Sequence, residues 1–332
     1  MTLSVLVTID TESYSQGHPD QHIWGRTADG QEHGIRAIMD ILERHGVRGT
    51  FYVNVYEAGR HGEEALREVV RAIDERGHEV GLHTHPRDLY GVEKLTRADV
   101  PRQMEILAWG QHFIEAATGK PVLAHRAGAF AANLKTIEAL GKLGVEVDAS
   151  LSPAWFESHL AREVESGNRP MSLGGLLELP VTYYVQARLG SREFQRMIDI
   201  EACSLRELKT IVRQAQAQEA GAINLLMHSH SFALAGAHDR TLVKRLDAFL
   251  RFLATQPGAQ ATTTAQFFEQ WRTTGTTAPV GQPFVPYTGW WTTYLRTVES
   301  IGRGWKNTAA ALAPPIALAA LAAAAGALYR SA

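Results

Sequence analysis

The feature that most constrains this chain is alternation. Short apolar runs of strand length recur between amphipathic runs of helical length, from Leu3 to Trp271. Leu3 to Ile9 reads as a buried strand. Apolar spacing at Ile35, Ile38, Met39, Ile41 and Leu42 marks the helix after it, which Gly46 stops. Further strands are expected at Gly49–Val55, Glu79–His85, Val122–Arg126, Val145–Asp148, Leu176–Val181 and Ala222–Met227. Helices are expected between them, at Glu63–Glu75, Thr96–Thr118, Leu134–Leu143, Leu205–Glu219 and, after the last, Arg240–Ala254. Leu151 to Gly174 reads as irregular, and Gln260 to Thr264 as a final strand. Strands alternating with helices build a parallel sheet. About seven such units suit an α/β fold of the distorted (β/α) barrel kind. An open doubly wound sheet is the alternative, but no G-x-G-x-x-G follows the first strand to support a dinucleotide site.

The polar residues of interest cluster at strand ends. Asp10, Glu12, His83, His85, Arg126, Asp148, His228 and His230 all lie at or just past the carboxyl ends of expected strands. In a barrel those ends share one face, where active sites are built. Asp10 and Glu12 are two apart, as are His83 and His85, so each pair points to one side of an extended chain. Two imidazoles and a carboxylate converging on a point form a three-ligand set for a divalent metal such as zinc, with a position left open for water. The same histidine pair also fits one packed and one solvated residue. Asp148 reads better as a cap for Ser150 and Ser152 than as a catalytic group. His230 fits a supporting role or a surface one.

Composition narrows the function classes. The chain has 332 residues, 45% of them hydrophobic, with a formal net charge of −2 and one cysteine. That charge, with no long basic run, gives no nucleic-acid-binding surface. One cysteine excludes an intrachain disulfide framework.

The motifs resemble those of the polysaccharide deacetylases, the carbohydrate esterase family 4 or NodB-homology group. Thr8-Ile9-Asp10-Thr11-Glu12 looks like the family's T-F-D-D strand end. Gly49 to Val53 is similar to its second strand. His83-Thr84-His85, after His78 to Gly81, looks like its histidine motif, and Arg126 to Phe130 looks like the motif built on R-x-P. Leu226-Met227-His228 looks like the closing L-x-H. The likeness spans roughly Leu3 to Trp271. It implies a NodB-like distorted barrel and a hydrolase that removes an N-linked acyl group, acetyl in the family, from a sugar. It implies Asp10 as general base, Arg126 as its orienting partner, His228 as general acid, and a divalent metal, usually zinc, held by a carboxylate and two histidines. Here those would be Glu12, His83 and His85. Three departures stand out. Thr11 replaces the second Asp, with Glu12 as the nearest substitute. The histidine spacing is two rather than four, which leaves Asp88 as another source of the last ligand. The proline of the R-x-P motif is missing. A hydrolase of non-sugar amides or cyclic imides, and a catalytically silent scaffold, are the other readings these departures allow.

Past Trp271 the composition shifts. Residues 1–272 read as the barrel, 273–286 as a Thr-, Gly- and Pro-rich linker, and 287–332 as an aromatic and basic segment followed by an apolar tail. Trp290, Trp291, Tyr294 and Trp305 are interleaved there with Arg296, Arg303 and Lys306. Ala309 to Tyr329 then carries no charge, and a bilayer crossing takes about 20 apolar residues. Pro314, Pro315 and the abundance of alanine argue instead for a helix packed on the body or on another subunit. The N-terminus lacks the basic start of a secretory signal. The expectation is a cytoplasmic body, attached to the inner face of the membrane through residues 309–329, acting on an N-acylated glycan, glycolipid or lipid-linked precursor.

Overall fold

The computed structural model describes residues 2–13, 17–236, 239–273 and 283–300. Its frame is one sheet in the order β10-β1-β2-β3-β4-β5-β7-β6, with β11 also pairing β1. The strands are β1 (Leu3–Thr11), β2 (Thr50–Val53), β3 (Glu79–Thr84), β4 (Ala124–Ala127), β5 (Val147–Asp148), β6 (Met171–Leu173), β7 (Leu176–Glu178), β8 (Tyr183–Leu189), β9 (Arg192–Met197), β10 (Ala222–His228) and β11 (Ala259–Thr262). Every pairing in the main sheet is parallel except β6–β7. The sheet curls into a half-barrel, the distorted barrel expected from the alternation.

β1 is flanked on both sides, and all nine of its residues are buried. β10 covers one edge along Ser4 to Asp10. β11 and β2 share the other, β11 along Leu3–Leu6 and β2 along Thr8–Thr11. A strand buried on both faces reads as a near-continuous apolar run, which is how Leu3 to Ile9 reads.

The helices follow from local rules. Ile35–Arg44 turns Ile35, Ile38, Met39, Ile41 and Leu42 inward. Leu205–Ala217 begins with a capping box between Ser204 and Glu207. Val100–Thr118 ends at Gly119, whose φ of 71° is the left-handed cap that glycine adopts without strain.

Two parts differ from the sequence reading. Leu151–Gly174 is not wholly irregular, because β6 lies within it. Between β7 and Leu205, a segment with no assignment from sequence, stands the antiparallel hairpin β8–β9. The helix Gly289–Ser300 packs on that hairpin. Arg296 is buried there, 2.9 Å from Glu207 Oε1 and 2.7 Å from Gln186 Oε1. Among the described residues no helix is long and apolar enough to cross a membrane. The segment 309–329 lies outside the described residues.

Candidate active site

The register of the sheet sets the site. Asp10 pairs with His228 across β1–β10 and with Tyr52 across β1–β2, while His83 pairs with Arg126 across β3–β4. Tyr52 pairs in turn with Gly81, so His83 and Arg126 stand two residues further along than Asp10 and His228, and the four gather at the carboxyl end of the sheet.

Arg126 is fully buried and spends its donors inside the half-barrel. Nη1 donates to Asp10 Oδ1 at 2.6 Å, Nε to the Ala149 carbonyl at 3.1 Å, and Nη2 to Thr8 Oγ1 at 3.0 Å. Its guanidinium lies 4.3 Å from the Tyr52 ring centroid. A charge so enclosed needs this many partners. The result is that Asp10 has one oxygen fixed and the other facing the histidines, with Oδ2 3.9 Å from His83 Nε2.

Glu12, His83 and His85 form the candidate metal centre. One donor atom from each lies within 4.8 Å of the others. Glu12 Oε2 is 2.9 Å from His85 Nε2 and 3.6 Å from His83 Nε2. His83 Nδ1 sits 2.9 Å from the Arg126 carbonyl oxygen. A carbonyl only accepts, so Nδ1 carries the proton and Nε2 presents a lone pair to the cluster, the outer-shell arrangement that orients a ligating histidine. Burial works against a charge on Glu12, but His85 and His83 outweigh it and hold its carboxyl well below the usual range. Burial likewise opposes a charge on His85, and Glu12 raises it. Two imidazoles and one carboxylate fit a divalent metal with an open position.

The backbone makes room for this set. A Cβ at Gly128 would lie 2.3 Å from His85 Nε2, so only glycine leaves space for the ring. Ala129 and Phe130 then take φ of 51° and 53°, a left-handed pair without glycine. Such strain collects where surrounding structure imposes a shape. The cluster opens into a cleft of roughly 280 Å³, lined among others by Glu57, Arg60 and Lys94.

The second histidine pair stands on the other side of Asp10. His228 packs against Glu201, with its N–H 2.5 Å and its Nδ1 3.3 Å from Glu201 Oε1. Burial disfavours its charge, but Glu201 prevails and pushes His228 up to about 10. His228 therefore keeps its proton well above neutral pH, where the sequence reading expected titration near it. His230 is pushed down to about 4 by burial and by the neighbouring His228.

Asp148 caps Ser150 as the sequence suggested but not Ser152, whose N–H goes to Ser158 Oγ. Its carboxylate accepts from Ser150 Oγ at 2.8 Å and lies 2.7 Å from His125 Nδ1, while His125 Nε2 meets Thr84 Oγ1 at 3.0 Å. This buried chain braces β3, β4 and β5 behind the cluster. Asp88 is engaged elsewhere, 2.7 Å from Arg60 Nε, and does not join the three-residue cluster. Sequence reasoning missed Glu201, Asn54, Glu57 and Gly128. Of these only Gly128 carried a signal, as a glycine two residues past a strand-end arginine.

A carboxylate and two imidazoles at the strand ends of a parallel half-barrel, beside an arginine-held aspartate, suit metal-assisted hydrolysis. The polysaccharide deacetylase family model matches residues 17–147, a stretch that holds His83, His85 and Arg126 and leaves Asp10, Glu12 and His228 outside. In fold the chain is similar to a protein from Mycobacterium smegmatis provisionally described as a polysaccharide deacetylase. That similarity has a TM-score of 0.59 and 22% identity, covering 86% of this chain and 95% of that one. Weaker similarities include the peptidoglycan deacetylase PdaC of Bacillus subtilis (TM-score 0.43, 17% identity, 82% and 94% covered). Another is a family 4 carbohydrate esterase from Streptomyces lividans (0.43, 15%, 78% and 92%). No curated protein matches in sequence.

Proposed function

We propose that this protein is a metal-dependent deacetylase that removes an N-linked acetyl group from a sugar of a glycan, glycolipid or lipid-linked precursor. The observation that carries the reading is the convergence of Glu12, His83 and His85 within 4.8 Å, next to an Asp10 whose other oxygen is held by Arg126. A divalent metal such as zinc held by those three residues would polarise the acyl carbonyl and acidify a water. The chain's own groups account for the proton movements. Asp10 Oδ2 takes a proton from water as the new C–O bond forms. His228, protonated through its pairing with Glu201, gives a proton to the nitrogen as the C–N bond breaks. The products are a carboxylate and an amine. Arg126 aims Asp10, and Tyr52 beneath the guanidinium keeps it in place.

The test is acetate release from N-acetylglucosamine oligomers. Asp10→Asn is expected to lose roughly 10²–10⁴-fold in rate while retaining its metal. Unchanged turnover in Asp10→Asn would overturn the base assignment. Hydrolysis of small imides with no action on acetylated sugars would move the substrate to the other amide class.

The proposal includes attachment to a bilayer through residues 309–329, with residues 1–272 as the catalytic body. Supporting it, Trp291 and Tyr294 are 62% and 57% exposed on the helix that precedes the tail. Flotation of the full chain with anionic vesicles, lost on truncation after Ser300, is the expected result.

A further inference from the structure

His85 and Glu12 stand in awkward places. β3 ends at Thr84 and β1 at Thr11, so both residues lie just past the strands that carry them. Yet their donor atoms are held 2.9 Å apart. One short turn reaches both. Asn54 follows β2 and starts the 3₁₀ turn Val55–Glu57, which folds Asn54 and Glu57 side by side. Asn54 Oδ1 accepts the backbone N–H of His85 at 3.3 Å, and its Nδ2 donates to Glu57 Oε1 at 3.2 Å. The same Glu57 oxygen accepts the N–H of Ser13, the residue after Glu12, at 2.7 Å. Asn54 N–H is itself tied to the Thr11 carbonyl at 3.0 Å.

We propose that Asn54 and Glu57 are positioning residues that clasp the Glu12 and His85 backbones together for the metal. The inference rests on the reading that Glu12, His83 and His85 hold that ion. Both side chains are buried, Asn54 3% and Glu57 1% exposed. Burying a carboxyl costs free energy that an apolar residue would not, so packing alone is a poor reason for Glu57. Its bonds go to the loop that bears Glu12 and to Asn54, which in turn holds the loop that bears His85.

The experiment is a Co²⁺ titration followed by visible absorption, with a thermal melt of each metal-free protein. Asn54→Ala and Glu57→Leu are expected to weaken Co²⁺ binding about 10- to 100-fold and to change the shape of the absorption band. Glu57→Gln keeps an oxygen that can accept both bonds, so its affinity should stay within a few-fold of the parent. Should either disruptive variant fail to fold, Asn54→Asp replaces it: the His85 N–H keeps its acceptor, the donor to Glu57 is lost, and binding should weaken. Parent-like affinity and spectrum in folded Asn54→Ala and Glu57→Leu, or in Asn54→Asp, would overturn the clasp. Loss in Glu57→Gln equal to that in Glu57→Leu would also overturn it. A parent that binds no Co²⁺ would remove the site and the clasp together, and would mark the ligand reading as the fault.

Discussion

The chain carries two His-x-His pairs at strand ends, and the fold gives them opposite environments. His83 and His85 have ring centroids 5.0 Å apart, His228 and His230 5.1 Å apart. Spacing does not separate the pairs. The carboxylates do. Glu12 sits between the first pair, with one carboxylate oxygen near both ε nitrogens, so the three groups face one point. Glu201 engages His228. Glu201 pushes His228 up to about 10, while burial and the neighbouring His228 push His230 down to about 4. The chain also leaves β10 at His228 for the 3₁₀ turn Ser229–Gly236, whereas β3 runs on to Thr84 before His85. The contrast separates a pair gathered about one shared carboxylate from a pair in which one member has a carboxylate of its own.

The sharpest way to break this contrast is to remove one histidine from each pair. His85→Ala should abolish stoichiometric metal binding, and His230→Ala should leave metal content unchanged by elemental analysis. Equal loss in both would merge the pairs into one site. Next in size, His228→Ala should cost roughly 10²-fold or more in turnover at unchanged metal content. Gly128→Ala forces a Cβ against the His85 ring, and on the order of tenfold weaker metal affinity is expected. The smallest effect concerns the partner of His228. A raised pKa means the proton is held below about 10, so deacetylation should fall as pH rises through that value. In Glu201→Gln the falling limb should move toward the free-imidazole value of about 6.5. A pH–rate profile checks it; an unmoved limb would detach Glu201 from the acid.

Much of this was legible in the sequence. The strands were found because buried parallel strands read as apolar runs, and the strand-end residues were found because such a sheet gathers those ends on one face. Asp10, Glu12, His83, His85, Arg126 and His228 lie where that logic expects them. What stayed hidden shares a cause. Strand β9, Arg192–Met197, is largely exposed and charged, so it has no apolar alternation to betray it. Glu201 reaches His228 from a loop 27 residues away in sequence, with no spacing rule to link them. Asn54 reads as the end of the strand Gly49–Val55 and Glu57 falls past it with no assignment, because a single 3₁₀ turn leaves no periodicity. The residues that make contacts were visible; most of those that hold them in place were not.

The central claim is that Glu12, His83 and His85 form one metal site. It is tested most directly by metal stoichiometry of protein purified without added metal, then reloaded with zinc, beside His83→Ala/His85→Ala. The account predicts close to one equivalent in the parent and none in the double variant. A parent that stays metal-free after exposure to zinc, cobalt and nickel would contradict it.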